Sequence, residues 1–184
     1  AIVDGSPMEE LDQISYFIIT ATAGHDTTSA TTSGGLKALL DFPEQLDKLR
    51  ANPDLANAAA REMIRWVSPV RHMMRTCTED VEFHGQIIRK GESLAIWYPA
   101  ANRDERAIVD PHKFDIERDN RNQMAFGYGG HMCLGQHLAV LEIEIFFKVL
   151  LSRIDWIELA AEPKWVEAMF VGGLKSMPVR YAFK

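Results

Sequence analysis

Apolar residues recur along this chain first at helical spacing, then with a period of two, then at helical spacing again. From Met8 to Leu40 the pattern is helical, a length of roughly 50 Å at 1.5 Å per residue. Ser6-Pro7-Met8-Glu9 predicts its start, with Ser6 as N-cap, Pro7 at the first helical position and Glu9 closing a capping box. Leu11 to Ile19 is apolar on most sides, as in a helix buried through a domain. Ala23 to Gly35 is poor in helix formers, and each Gly costs about 1 kcal/mol relative to Ala. That run reads either as a polar stretch inside one long helix or as a loop between two shorter ones.

Asp41-Phe42-Pro43 breaks the pattern, Glu44 to Arg50 is a short helix stopped by Asn52-Pro53, and Asp54 can cap a further helix from Leu55 to Val67. Within that helix Glu62 and Arg65 stand at i, i+3 and can pair on one face, as many surface pairs do. From Val70 to Pro99 the texture turns to short β pieces (Val81–Phe83, Gln86–Arg89 and Ser93–Tyr98) separated by turns, which predicts a small antiparallel sheet. Residues 102–122 are charged and turn-rich, with Phe114 and Ile116 as anchors to the core. Leu134 to Leu151 is helical again, and Trp165 to Phe183, broken by Gly172-Gly173 and Pro178, predicts a terminal β-hairpin.

The chain has 184 residues, 47% apolar, enough for a sizeable core. A net charge of −6 argues against nucleic acid or an anionic membrane surface as partner. Cys77 and Cys133 are too few for a disulfide framework and form no CxxC; Cys77 reads as core. No run of 18 apolar residues occurs, so no membrane segment is expected in this chain. The chain opens on Ala1 and runs almost at once into a helix, which reads as a piece of a longer protein.

The candidate chemistry centres on Phe126-Gly127-Tyr128-Gly129-Gly130-His131-Met132-Cys133-Leu134-Gly135. Three glycines in four positions admit positive φ and leave open space beside the backbone. Cys133 stands where a helix is predicted to begin, and a helix N-terminus favours a thiolate. A thiolate held by such a loop suits a soft metal with a planar ring around it, which makes Cys133 the candidate axial ligand of a haem iron. The rivals are weaker. His131, Cys133 and His137, with Cys77, have unusual zinc spacing, and a blue-copper centre would want a Met where Leu141 stands. Gly127-x-Gly129-Gly130 lacks the Lys-Ser/Thr of a phosphate loop, and a plain buried cysteine is the commonest fate of a lone Cys.

Taken together these residues resemble the cytochrome P450 superfamily of haem-thiolate monooxygenases, soluble bacterial members in particular. Phe126, Gly129, His131, Cys133 and Gly135 match the haem loop FxxGx(H/R)xCxG, and Ala23-Gly24-His25-Asp26-Thr27-Thr28 matches the (A/G)Gx(D/E)T(T/S) signature of a long central helix. Glu62 and Arg65 match an ExxR pair, and Phe114 with Arg118 the segment that closes it into a triad. The resemblance implies a mainly α fold with small antiparallel β-sheets. Residues 1–184 would then be the C-terminal portion of a single haem domain, its N-terminal part absent.

The resemblance also implies haem b as cofactor, contacted by Cys133, Phe126, Gly127, Gly135, Ala23 and Gly24, with Arg75 and His131 on the propionates. Asp26 would bring protons in and Thr27 would hydrogen-bond dioxygen as it is split. Glu62, Arg65 and Arg118 would form a buried network holding the haem loop. Ile19, Thr22, Val70, Met73, Phe170 and Val171 would line a pocket for a small hydrophobic substrate, terpenoid or steroid-like. Electrons would come from NAD(P)H through a ferredoxin or other redox partner, in a cytoplasmic enzyme. Two alternatives are a peroxide-using haem-thiolate enzyme and a non-enzymatic metal-binding or electron-transfer domain built on Cys133 and a nearby His.

Overall fold

The structure is a computed structural model that describes residues 2–3 and 5–184. Over the described residues it is mainly helical, with five separate two-stranded antiparallel sheets. The first strands, β1 (Ile2–Val3) and β2 (Ser6–Pro7), pair across a turn with Gly5 at φ +81°. That pairing takes Ser6 and Pro7 out of the predicted capping box. Helix α1 (Glu10–Asp41) starts later, with Glu9 in the N-cap position, no side-chain cap bond, and the Gln13 amide donating to Met8 O at 2.7 Å.

Helix α1 is unbroken, and the loop reading of Ala23–Gly35 is thereby corrected. Its hydroxyls turn back on the helix itself: Thr27 Oγ1 donates to Ala23 O at 2.7 Å, Thr31 to Thr27 O at 2.8 Å and Thr32 to Thr28 O at 2.8 Å. Each polar group is satisfied without opening the backbone ladder. Burial along α1 sets in only at Thr27, because the helices that cover it lie against its second half. Leu11 to Ile19, expected inside, is exposed throughout, Phe17 at 71%.

Those covering helices are α3 (Ala56–Val67) and α5 (Gln136–Arg153). Gly34 and Gly35 are what let α1 approach α3. A Cβ on Gly34 would stand 2.7 Å from Val67 Cγ2, and one on Gly35 would stand 2.6 Å from Met63 Sδ. Between them runs α2 (Pro43–Ala51), then a 3₁₀ turn over Pro53–Leu55 whose cap is Asn52, accepting from Asp54 N at 3.2 Å. Asp54, predicted as the cap, donates instead. Leu39, Met63, Phe114, Ile116, Ile143 and Phe147 form the centre of the core, and Phe42, Trp66 and Phe114 meet in an aromatic cluster with centroids 5.5–5.8 Å apart.

The predicted single sheet is two. β3 (His72–Thr76) pairs with β6 (Ser93–Trp97), while β4 (Val81–Phe83) and β5 (Gln86–Ile88) form their own hairpin. The sequence reading had missed β3, whose partner lies beyond that hairpin. After helix α4 (Tyr98–Ala101), residues 102–128 contain neither helix nor strand. The predicted terminal hairpin is also divided. β7 (Ile154–Leu159) takes β10 (Val179–Phe183), and β8 (Lys164–Trp165) takes β9 (Leu174–Ser176). Among the described residues no helix is long and apolar enough to cross a membrane.

Candidate functional site

The glycine loop leaves residues 102–128 as a tight structure. Gly127 sits at φ +73° and Gly129 at φ +75°, the left-handed region. A Cβ on Gly127 would stand 3.0 Å from the Tyr98 hydroxyl. A 3₁₀ turn over Gly129–His131 follows, and Cys133 N donates to Phe126 O at 2.9 Å, closing the loop. That bond commits the backbone of Cys133 to the loop. Helix α5 therefore begins at Gln136 with Gly135 as N-cap, two residues later than the predicted start at Leu134. Cys133 carries a free, exposed thiol just ahead of the helix.

The space beside the thiol is open and its rim apolar. Cβ atoms built on Gly129, Gly130 and Gly135 of the loop would meet nothing within 4 Å, as would one on Gly24 of α1. Tyr128, Met132, Leu138 and Leu141 are exposed, and Leu134 is 86% so. A free thiol, unfilled glycine positions and exposed apolar side chains fit a flat apolar ring ligated through one sulfur. Among the described residues no three His, Cys, Asp or Glu side chains gather to hold a bare metal ion, so His131, Cys133 and His137 form no zinc-type cluster.

On α1, Ala23, Gly24, His25 and Asp26 are exposed and Thr27 is half-buried. His25 Nδ1 lies 2.8 Å from Asp26 Oδ1, a partner that sequence reasoning missed because neighbouring residues on a helix do not normally face each other. Ile19 is exposed, and Thr22 Oγ1 donates to Ile18 O at 2.8 Å. The other pocket candidates converge. Val70 forms an antiparallel bridge with Val171, Arg71 N donates to Phe170 O at 2.8 Å, and Met73 follows on β3. Arg75, also on β3, donates to Met74 O at 2.9 Å and shares no hydrogen bond with the exposed His131.

The buried network is the most completely built part. Arg65 Nε and Nη2 donate to Glu62 Oε2 and Oε1, both at 2.7 Å, with the two side chains fully buried. Arg65 Nη1 continues to the carbonyls of Asn102 (2.9 Å) and Pro111 (3.0 Å). Arg118 Nε donates to Glu62 Oε1 at 3.2 Å, and its Nη atoms donate to the carbonyls of Val109, Asp110 and Lys113. Buried carboxylate and guanidinium are thus paired, and their remaining capacity goes into a backbone that has no ladder of its own.

Asn102 was missed as a structural residue. It is fully buried, donates to Ser68 Oγ at 2.8 Å and accepts from Met124 N at 2.6 Å, tying the end of α3 to the segment leading into the glycine loop. Arg103 beside it lies 4.9 Å from the Trp66 ring centroid and donates to Trp66 O at 2.7 Å. Burial, then the neighbouring Arg65 charge, lowers its pKa from the ordinary arginine value.

The sequence model of the cytochrome P450 family matches residues 8–182. The chain belongs to that family. Cytochrome P450-terp of a Pseudomonas species is 42% identical over 97% of this chain and 42% of its own length. A steroid C26-monooxygenase of Mycobacterium tuberculosis is 38% identical over 96% of this chain and 48% of its own. The crystal structure of CYP108D1 from Novosphingobium aromaticivorans superposes with a TM-score of 0.95 and 47% identity, over all of this chain and 45% of that one. The chain therefore spans less than half the length of each of these P450 relatives, and the P450 fold accounts for its helices and small sheets.

Proposed function

We propose that this chain is the C-terminal portion of the haem domain of a haem-thiolate monooxygenase that hydroxylates a small hydrophobic substrate of terpenoid or steroid-like kind. The observation that carries the reading is the free Cys133 thiol, exposed in a loop closed by Cys133 N to Phe126 O and opened by glycines with nothing beside them. When bound, haem b held through a thiolate would supply the activation and cleavage of dioxygen. The chain supplies the rest. Cys133 would give the thiolate, and Phe126, Gly127, Gly135, Ala23 and Gly24 would hold the ring. Arg75 and His131 would serve the propionates. Glu62, Arg65 and Arg118 hold the loop's approach.

Asp26 takes a proton from solvent and passes it toward Thr27. The Thr27 hydroxyl donates its own proton to Ala23 O, so it would pass a proton on by rotating off that carbonyl. This acid–alcohol pair favours dioxygen with two electrons over direct use of peroxide. The electrons come from NAD(P)H through a ferredoxin or similar carrier. Two unpaired cysteines, one a reactive ligand, suit the reducing cytoplasm.

The test is the reduced, carbon-monoxide-bound absorption spectrum of the haem-loaded protein beside Cys133→Ala. A thiolate-type Soret band that the substitution removes is the expected result. A band that survives it removes Cys133 as the ligand.

A further inference from the structure

Phe170 stands in a segment with neither helix nor strand, yet three contacts fix the backbone around it. Arg71 N donates to Phe170 O at 2.8 Å, Val70 bridges Val171, and Gly172 N donates to Pro69 O at 2.8 Å. Gly173 then rests on α1, where a Cβ on it would stand 2.7 Å from Ala30 Cβ. Ala30 lies three residues beyond Thr27, and residues so spaced are neighbours on a helix surface. Residues 170–173 are thus strung between the start of β3 and the stretch of α1 that carries Asp26 and Thr27.

The side chain of Phe170 is held separately. Its ring meets the His72 ring edge-on, with centroids 5.9 Å apart and planes at 80°, and His72 in turn lies against Trp97 at 4.8 Å. His72 and Trp97 are directly opposed in the pairing of β3 with β6, so strand register sets the first contact and the first contact sets the second. No polar contact competes for the ring on its inner side, since His72 Nδ1 is buried and makes no hydrogen bond among the described residues. Phe170 is 50% exposed, so His72 backs one side of it and the rest stays free to meet a ligand.

We propose that His72 and Trp97 are positioning residues that fix the Phe170 ring as a wall of the substrate pocket. The inference rests on the haem-thiolate reading, in which Phe170 faces the substrate. Neither His72 nor Trp97 touches the substrate; both act through Phe170. A wall already in place costs nothing to order when a ligand arrives, whereas a loose ring must be immobilised, which weakens binding about two- to tenfold. The effect falls on ligands large enough to reach Phe170 and spares smaller ones.

The experiment titrates the haem-loaded protein at its full natural length with imidazole and with phenylimidazole, followed by the shift of the Soret band. His72→Ala should weaken phenylimidazole about two- to tenfold and leave imidazole unchanged. His72→Phe, which keeps an aromatic edge, should restore the original affinity. With Phe170→Ala already in place, His72→Ala should add nothing, because it acts through that ring. In NMR of the carbon-monoxide form, the Phe170 ring resonances should carry a ring-current shift that His72→Ala removes. Trp97→Leu, at a half-exposed side chain, should give the same pattern and keeps the test open if His72→Ala misfolds. An equal loss for imidazole, no restoration by His72→Phe, additive losses in the double variant, or unmoved Phe170 resonances each overturns the assignment. Absence of a thiolate-type band from the unsubstituted protein would fail the haem reading and this inference with it. A normal band with unresponsive His72→Ala would fail this inference alone.

Discussion

Glu62 and Arg65, one turn apart on α3, close on each other through two hydrogen bonds of 2.7 Å while both side chains are wholly shut off from water. Two buried charges so arranged need every partner they have, because either one alone would be an uncompensated charge in the core. Glu62→Ala strands Arg65 and also Arg118, which leans on the same carboxylate at 3.2 Å. The expected loss is about 3–5 kcal/mol, enough to abolish folded, haem-loaded protein rather than slow turnover. Normal haem content with an unchanged unfolding transition in that variant would contradict the assignment.

Asn102→Ala removes the acceptor of Met124 N and the donor to Ser68 Oγ in one step. Leaving a buried N–H unpaired costs about 1–3 kcal/mol. Hydrogen exchange at Met124 should quicken more than exchange within α5, since the damage falls on the segment leading to the glycine loop. Uniform quickening across the chain would mean that Asn102 acts on global stability alone.

The close crossing of α1 and α3 predicts a change of sign. Gly34→Ala puts a methyl 2.7 Å from Val67 Cγ2, and such overpacking costs about 1–3 kcal/mol. With Val67→Ala in place the obstructing methyls are gone, and the same substitution should stabilise by up to about 1 kcal/mol through helix propensity. Urea unfolding midpoints of the four proteins of this cycle measure both values.

Asp104 carries a pH signature. The hydrogen bond from the Arg106 side chain, followed by one from the Arg106 backbone, lowers its carboxyl to about 2. A depressed acid stabilises the fold above its unfolded value of about 3.9, and that contribution fades as pH falls through the folded value. Carbon-13 titration should place the Asp104 midpoint near 2, and Arg106→Gln should return it toward the ordinary range. The small stability difference between the two proteins should be greatest above about pH 5 and vanish as pH falls through about 2. A midpoint unmoved by that substitution would remove Arg106 as the cause.

The sequence displayed those parts of the molecule whose cause is local. Helices α2, α3 and α5 follow from apolar spacing and proline stops, and an i, i+3 Glu–Arg pair on α3 has its members within reach by geometry alone. The glycine loop is legible for the same reason, since positive φ at Gly127 and Gly129 is a property of the residue type. What stayed hidden depended on distant partners. The pairing of β3 with β6 across an intervening hairpin, the split of the last strands and the role of Asn102 have no local signal. At Ser6-Pro7 a good local signal lost to a tighter turn beside it.

Arg65 and Arg118 address residues 102–113 almost wholly through main-chain oxygens, those of Asn102, Val109, Asp110, Pro111 and Lys113. A carbonyl is the one acceptor every amino acid owns, proline included. The exposed side chains of Val109, His112 and Lys113 can therefore drift between descendants of this protein with little penalty so long as the path of the chain is kept, and Val109, 81% exposed, has the least to lose. Asp110 at φ +47° and the buried Pro111 are held by the backbone and by packing. The two arginines have no such freedom, because lysine offers neither the fork nor the count of donors. Mutational scanning should find a tolerant coil pinned by two intolerant side chains, with the constraint written far from the segment it shapes.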